Sequence, residues 1–312
     1  MDTARYKAFI VAAEEGSISK AAEKLGYTPS GISQLLKALE TDLGIALLNR
    51  GKKGVRLTEA GENLLPDFRE IVRLERNVFD KAQAVNGLER GSVVIASYPS
   101  VSVHWLPEVI KKFQDDYPGV RINVREGVRQ EITDWLDQGV ADIAFFTYKE
   151  GMPYDWIPLA EDRMVAVIPQ NHPLAGRTSY PLSYCNNEKF IMPALGRDED
   201  VLALFHENHI HPEIRFSTQE SVSVLSMVEK GLGMSIMNEL STEYAKEYSK
   251  FNVVRLPVDP PQSITVGIAL RSEDQAAPAT KMFIKYAVRE LTRSEVQYSG
   301  EDAGKVLDEQ GI

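Results

Sequence analysis

Thr28, Pro29, Ser30, Ser33, Gln34 and Lys37 fall in one short stretch, TPSGISQLLK. They are interleaved with Ile32, Leu35, Leu36 and Leu39, whose i, i+3, i+4, i+7 spacing predicts one apolar face of a helix. Ser30, Ser33, Gln34 and Lys37 fall on the opposite face. These side chains recognise hydrogen-bonding edges rather than make or break bonds. A glutamine amide can bond adenine at two atoms, a lysine can reach guanine or phosphate, and hydroxyls donate or accept. The same polar face would also suit plain solvent. Thr28 is placed to cap the helix, and Pro29 takes its first position, where a missing N–H costs nothing.

The neighbouring elements favour the recognition reading. A helix is expected over 5–14, ended by Gly16, with Ser17 or Ser19 as the cap of a second helix over 18–25 that Gly26 terminates. Two short helices joined by a few residues form a helix-turn-helix, whose second helix enters the DNA major groove. "ALLNR" and "VRLT" then flank "GKKG" as a two-stranded wing, and Arg50, Lys52, Lys53 and Arg56 place positive charge beside the phosphates. From Leu57 to Asn86 a long helix follows, with Leu64, Phe68, Ile71, Val78, Ala82 and Val85 in heptad spacing and Pro66 expected to kink or loosen it. This seam either packs on its own domain or joins two subunits.

At 312 residues the chain predicts two or three domains. No apolar run is long enough for a membrane span, and "MDTARYKAF" has no export signal, so a cytoplasmic location is expected. The single cysteine, Cys185, excludes an intrachain disulfide. Net charge is −10, unevenly spread: residues 1–58 carry nine Lys and Arg against six Asp and Glu, whereas residues 91–312 carry 21 against 32. A basic head on an acidic body is compatible with DNA binding, which local charge governs.

Past a boundary at Gly87–Gly91, strands and helices alternate: 92–97 strand, 103–118 mostly helix, 120–127 strand, a helix in "QEITDWLDQG", and 141–147 strand. "RMVAVIP" (163–169) opens a second unit, and 278–293 is a closing helix. The alternation predicts a largely parallel α/β sheet. Ligands of such sheets sit at the carboxyl ends of strands, so Ser97, Ser100, Val101 and Ser102, between the first strand and a helix, offer an anion site. The serines also suit simple helix capping. The tail from Ser294 is expected to be disordered. His206, His209 and His211 have a spacing compatible with a metal, but no cysteine or acidic partner is fixed by motif, so solvated loop histidines are the preferred reading and no metal or cofactor is assigned. "EKGLGMS" reads as a turn from helix to buried strand, and Cys185 as an inert thiol. No catalytic constellation is visible, so no enzyme is expected. The body alone would fit a solute-binding protein of a transport system, but the N-terminal helix-turn-helix and the lack of an export signal argue otherwise.

"GSISKAAEKLGYTPSGISQLLKALETDLGIALLNR" followed by "GVRLTEAGENLL" closely resembles the LysR-type transcriptional regulators. "RGSVVIAS", "LPEVIKKFQDDYPGVRINVREG", "LDQGVADIAFF", "VAVIPQNHPLA" and "VEKGLGMSIM" extend the resemblance over residues 3–293. The resemblance implies a winged helix-turn-helix (1–58), a dimerising linker helix (59–88) and an effector domain (89–293) of the periplasmic-binding-protein type 2 α/β fold. The effector subdomains would be about 91–162 plus 264–293, and 163–263. It implies a homodimer through the linker helix, a homotetramer on an interrupted inverted repeat of double-stranded DNA, contact with RNA polymerase, and a small-molecule effector. Carried over by motif, Thr28, Pro29, Ser30, Ser33, Gln34 and Lys37 would contact DNA from the reading helix and Arg50 from the wing. Ser100, Gly127, Phe146, Thr147, Pro193 and Ala194 would line the effector cleft. Gly31 stands where the family commonly has alanine and Gln34 where arginine is frequent, which shifts the expected base preference.

Overall fold

Side-chain caps start each short helix of the head, and left-handed glycines stop it. α1 (Thr3–Glu15) begins where the Asp2 carboxylate accepts the Ala4 N–H and ends at Gly16. α2 (Ile18–Leu25) is capped by Ser17, which accepts from the Lys20 N–H, and ends at Gly26. α3 (Pro29–Leu43) takes Thr28 as its cap and stops at Gly44. Such caps satisfy N–H groups that the helix itself cannot. β1 (Leu48–Gly51) and β2 (Gly54–Leu57) form the antiparallel wing. The Val55 N–H bonds the Gly16 carbonyl at 2.8 Å, pinning the wing to the end of α1. Gly54 makes this possible: its φ is +106°, and a Cβ there would lie 2.4 Å from the Gly16 oxygen. Phe9, Ile32, Leu36, Leu39 and Leu47 are fully or almost fully buried beneath. This computed structural model describes residues 2–51, 54–85, 91–248 and 250–295. Lys52, Lys53, most of the 87–91 boundary and the tail beyond Glu295 lie outside the described residues.

α4 (Glu59–Val85) is one helix that continues through Pro66. Its apolar seam divides. Phe68 is buried in the head, stacked on Tyr6 at 4.8 Å and edge-on to Phe9 at 5.3 Å, with Leu64 packed beside them. Further along, Ile71 and Leu74 are exposed, and Val78 and Phe79 are 67% and 64% exposed. The first half therefore packs on its own domain, and the second presents an uncovered apolar face.

In the body, β3 (Gly91–Ser97), α5 (Pro99–His104), α6 (Leu106–Asp116), β4 (Val120–Glu126), α7 (Arg129–Asp137) and β5 (Ile143–Thr147) form a first lobe. β6 (Asp155–Pro169) then runs through both lobes. The second lobe comprises β7 (Tyr180–Pro181), β8 (Lys189–Met192), α8 (Glu199–Glu207), β9 (Glu213–Ser217), α9 (Ser221–Glu229), β10 (Ser235–Asn238), α10 (Glu239–Tyr248) and β11 (Val253–Asp259). β12 (Ser263–Leu270) and α11 (Pro278–Glu295) return to the first; α11 thus extends past Ser294, where the sequence predicted a disordered tail. The lobes have separate cores, one around Val93, Phe113, Phe145 and Phe283, the other around Phe190, Phe205, Ile236 and Leu256.

The main sheet runs β4-β3-β5-β12-β6-β11-β7, with β10 also on β6. It is mixed rather than largely parallel, which corrects the sequence expectation. β3 is parallel to β4 and β5, but β12 is antiparallel to β5 and β6, as are β10 and β11 to β6. No helix separates β5 from β6, and antiparallel neighbours need no helical crossover. "RMVAVIP" is only the second half of β6. Its first half escaped notice because it is half-exposed and contains Pro158, which faces Gly267 next to a register shift.

The linker helix is tied to the first lobe by charge. Arg76 pairs with Asp142, which immediately precedes β5 and accepts the Val94 N–H at 2.8 Å. Glu70 accepts from Arg73 Nε at 2.8 Å and from Arg271 at 3.0 Å, and Arg69 reaches Glu14 at 2.9 Å and also bonds Gln138. No helix among the described residues is long and apolar enough to cross a membrane.

Candidate functional site

Two sites emerge, built in opposite ways. On the head, α3 buries Ile32, Leu36 and Leu39 and leaves Thr28, Pro29, Ser30, Gln34 and Lys37 exposed, with Ser33 half-buried. Thr28 Oγ1 accepts the Gly31 N–H at 3.1 Å and lies 3.0 Å from Ser30 Oγ. Ser33, Gln34 and Lys37 have no side-chain hydrogen bond among the described residues, and Gln34 and Lys37 are exposed. A Cβ at Gly31 would come within 3.2 Å of Thr28 Oγ1. The glycine here therefore leaves the cap uncrowded where an alanine would press on it. Arg50 on β1 pairs with Glu40 at 3.2 Å, while Glu40 Oε1 accepts the Leu47 and Leu48 N–H groups. This carboxylate fixes the wing to α3 and holds Arg50 against that helix. Arg56 on β2 is exposed, with no ion pair among the described residues.

Between the lobes, the arrangement departs from the sequence reading. Ser97 and Ser102 spend their hydroxyls on each other at 2.6 Å. The Val101 and Ser102 N–H groups both donate to the Tyr98 carbonyl at 3.1 Å, so they do not form an open anion cradle. Val101 is corrected outright, since its side chain belongs to the core of the first lobe. Ser100 is buried, yet its hydroxyl has no partner among the described residues. Gly127 is buried beside this turn, donating to the Ser97 carbonyl at 3.2 Å. Phe146 points to the opposite face of β5 from Thr147, its ring in a small cluster with Ile132 and Leu136, and it meets the cleft only as the surface beneath Arg129. Pro193 and Ala194 lie in the loop after β8, where Ala194 and Leu195 take left-handed φ values of 49° and 55°. That loop leads into α8.

What occupies the centre is a pair that the sequence reading missed. Arg129, the first residue of α7, donates through Nη1 to the Thr147 carbonyl at 3.0 Å and through Nη2 to Thr147 Oγ1. The same Nη2 reaches Asp200 Oδ1, on α8 of the other lobe, at 3.2 Å. Thr147 Oγ1 donates to Asp200 Oδ2 at 2.9 Å, and Tyr98 Oη lies 3.3 Å from Thr147 Oγ1. Alongside, Lys149 pairs with Glu199 at 2.7 Å. The guanidinium lies over the Phe146 ring at 5.3 Å, and 11% of the Arg129 side chain is exposed. Burial alone would lower the Arg129 pKa, but Tyr98, Asp200 and Glu199 hold it above its ordinary value. Burial raises Asp200 despite its partner Arg129, and burial with repulsion from Asp200 pushes Asp198 up to about 6. One signal in the sequence pointed here. A cation at a helix N-terminus opposes the helix dipole and calls for a counter-charge.

The other candidates recede. No group of three or more metal-ligating side chains occurs among the described residues; His206 sits in the last turn of α8, and His209 has a left-handed φ of 54°. Cys185 is buried in a 3-10 turn, its thiol pushed up to about 12 by burial, which suits an inert side chain.

Comparison with known proteins places both sites in one context. The model of the LysR substrate binding domain matches residues 86–292, and that of the bacterial regulatory helix-turn-helix protein, lysR family, matches residues 4–62. The uncharacterized HTH-type transcriptional regulator YvbU of Bacillus subtilis (strain 168) is 30% identical over 299 residues, covering 95% of this chain and 100% of that protein. Among solved structures, a full-length cysteine-to-aspartate variant of OxyR from Pseudomonas aeruginosa superposes with a TM-score of 0.71 at 20% identity, over 94% of this chain and 98% of that one. CbnR, a LysR family transcriptional regulator, superposes with a TM-score of 0.65 at 21% identity, over 93% and 99%.

Proposed function

We propose that this chain, which belongs to the LysR family of bacterial DNA-binding transcriptional regulators, is switched by a small organic anion held between its two lobes. The observation that carries the proposal is the convergence of donors on the cleft. The Arg129 guanidinium, the Thr147 and Tyr98 hydroxyls and the unpartnered Ser100 hydroxyl stand at the carboxyl ends of β3, β4 and β5: Tyr98 and Ser100 follow β3, Arg129 opens α7 after β4, and Thr147 ends β5. A carboxylate suits such a set, because charge-assisted hydrogen bonds from a buried guanidinium are strong and geometrically selective. The lobes are 91–162 with 264–293, and 163–263. β6 changes partners between them, from β12 up to Arg163 to β10 from Met164. Effector binding biases the angle between the lobes, and through α4 the spacing of the DNA-reading heads.

DNA recognition falls to Ser30, Ser33, Gln34 and Lys37, positioned by the Thr28–Pro29 cap, with Arg50, Lys52, Lys53 and Arg56 meeting phosphates. A solute-binding protein is disfavoured, since a regulatory helix-turn-helix occupies residues 4–62. The uncovered face of α4 around Val78 and Phe79 pairs two subunits, and two such pairs span an interrupted inverted repeat. Genome-wide mapping of bound sites supplies promoter fragments; fluorescence anisotropy on those fragments then tests the reading. Affinity should fall steeply with salt, with a shallower slope after joint Lys52→Ala and Lys53→Ala replacement, and a carboxylate detected by calorimetry should change it. Salt-insensitive binding, or no response of DNA affinity to a carboxylate that binds, would overturn the reading.

A further inference from the structure

We propose that Arg129 receives the carboxylate of the effector, and that Asp200 occupies that place in the unliganded protein as an internal stand-in. The effector would then enter by exchanging with Asp200 and releasing a tie between the lobes. This rests on the organic-anion reading of the cleft and adds its mechanism. Arg129 and Thr147 belong to the first lobe and Asp200 to the second, so their hydrogen bonds cross the cleft. The Asp200 carboxylate already accepts the bonds an incoming carboxylate would need: one from Arg129 Nη2 at 3.2 Å and one from Thr147 Oγ1 at 2.9 Å. The guanidinium also has a donor in reserve, since Arg129 Nε is buried without a hydrogen bond among the described residues, with the Glu199 carboxylate 3.7 Å away. Phe146 beneath the guanidinium and the Thr147 carbonyl keep Arg129 in place when Asp200 leaves.

The stand-in is poorly held. Burial raises the Asp200 pKa in spite of Arg129 and Thr147, so its ionised form is less comfortable in the closed cleft than in water. Asp198, two residues away at the cap of α8, repels it. An effector that takes over the Arg129 contact returns Asp200 to solvent and frees α8. By linkage, a ligand that binds the separated state better shifts the lobes toward it in proportion to that preference.

The test uses the full-length protein, titrated by calorimetry with benzoate, malonate and shikimate as carboxylate probes and putrescine as an amine. Backbone amide exchange of α8 is followed in parallel. Asp200→Asn should tighten carboxylate binding about tenfold and speed exchange at the start of α8; Arg129→Gln should weaken it at least tenfold. The double variant Asp200→Asn with Arg129→Gln leaves no stranded carboxylate, so it separates lost recognition from lost folding: it should remain folded and still bind poorly. A carboxylate that binds wild type and all variants alike overturns the exchange but leaves the anion reading standing. No carboxylate binding to wild type or to Asp200→Asn overturns both. Putrescine binding that is lost in Asp200→Asn also overturns both, because the cleft then selects a cation.

Discussion

The reading head and the effector cleft solve the same problem, holding polar groups ready for a partner, by opposite means. On the head the proposed contact residues of the reading helix span 28–37, the scaffold is a single capped helix, and Gln34 and Lys37 have no protein partner among the described residues. In the cleft the key groups come from α5, α7, β5 and α8, Arg129 and Asp200 are 71 positions apart, and these two charges are already engaged with each other. The head must search along DNA, so its groups stay solvated until they meet a base edge. The cleft must distinguish an occupied from an empty state, so its groups need something to exchange.

The largest expected effect sharpens this contrast. Arg129→Ala strands a buried carboxylate and should cost about 3–5 kcal/mol of effector-domain stability in urea denaturation. Lys37→Ala, on the exposed face, should stay within about 0.5 kcal/mol. Equal losses would erase the distinction. Next comes pH. Burial raises Asp162, where β6 passes between the lobes, to about 6, above its unfolded value of 3.8. Its favourable contribution is therefore complete below 3.8 and lost as pH rises through 6. Relative to Asp162→Asn, wild-type stability should fall by about 2–3 kcal/mol between pH 4 and 7, as read from melting curves. Glu70, held down to about 2 by Arg73 and then Arg271, has the reverse sign: its stabilisation of the linker contact is present above 4.5 and lost toward pH 2.

A smaller effect is expected from Gln34→Ala, which should leave folding unchanged and remove about 1–2 kcal/mol of discrimination at one base position, measured by competition among operator variants. Uniform weakening on every sequence would assign Gln34 to the backbone instead. The smallest is Thr28→Ala, which removes the α3 cap and should cost about 1 kcal/mol, read as a lower melting temperature of the head.

The head was legible in the sequence because its determinants are local. Ser17, Thr28 and Pro29, Gly26 and Gly44, and the spacing of Ile32, Leu36 and Leu39 each act within a few residues. In the cleft, the sequence pointed to the ends of β3 and β5, where Ser100 and Thr147 stand. The Val101 side chain turned inward because the face of a short helix depends on what packs behind it. The Arg129–Asp200 pair needs two lobes to exist. The mixed sheet was hidden for a similar reason: the pairing of β12 with β6 joins residues 263–270 to 155–163, and no local pattern records such a return. The seam of α4 divides under one heptad, and the position of Phe68 against Tyr6 and Phe9 shows where the part packed on the head stops.

β5 is a short strand with a different neighbour at each tip. Asp142, just before it, grips Arg76 of α4, and Thr147, at its far end, sits against Arg129 and Asp200. At roughly 3.3 Å per residue, the signal of the proposed switch need travel only about 17 Å through one stiff rod to reach the shaft that carries the DNA-binding head. Signal and lever share a single piece of backbone, so softening that rod should disconnect sensing from reading while leaving both intact.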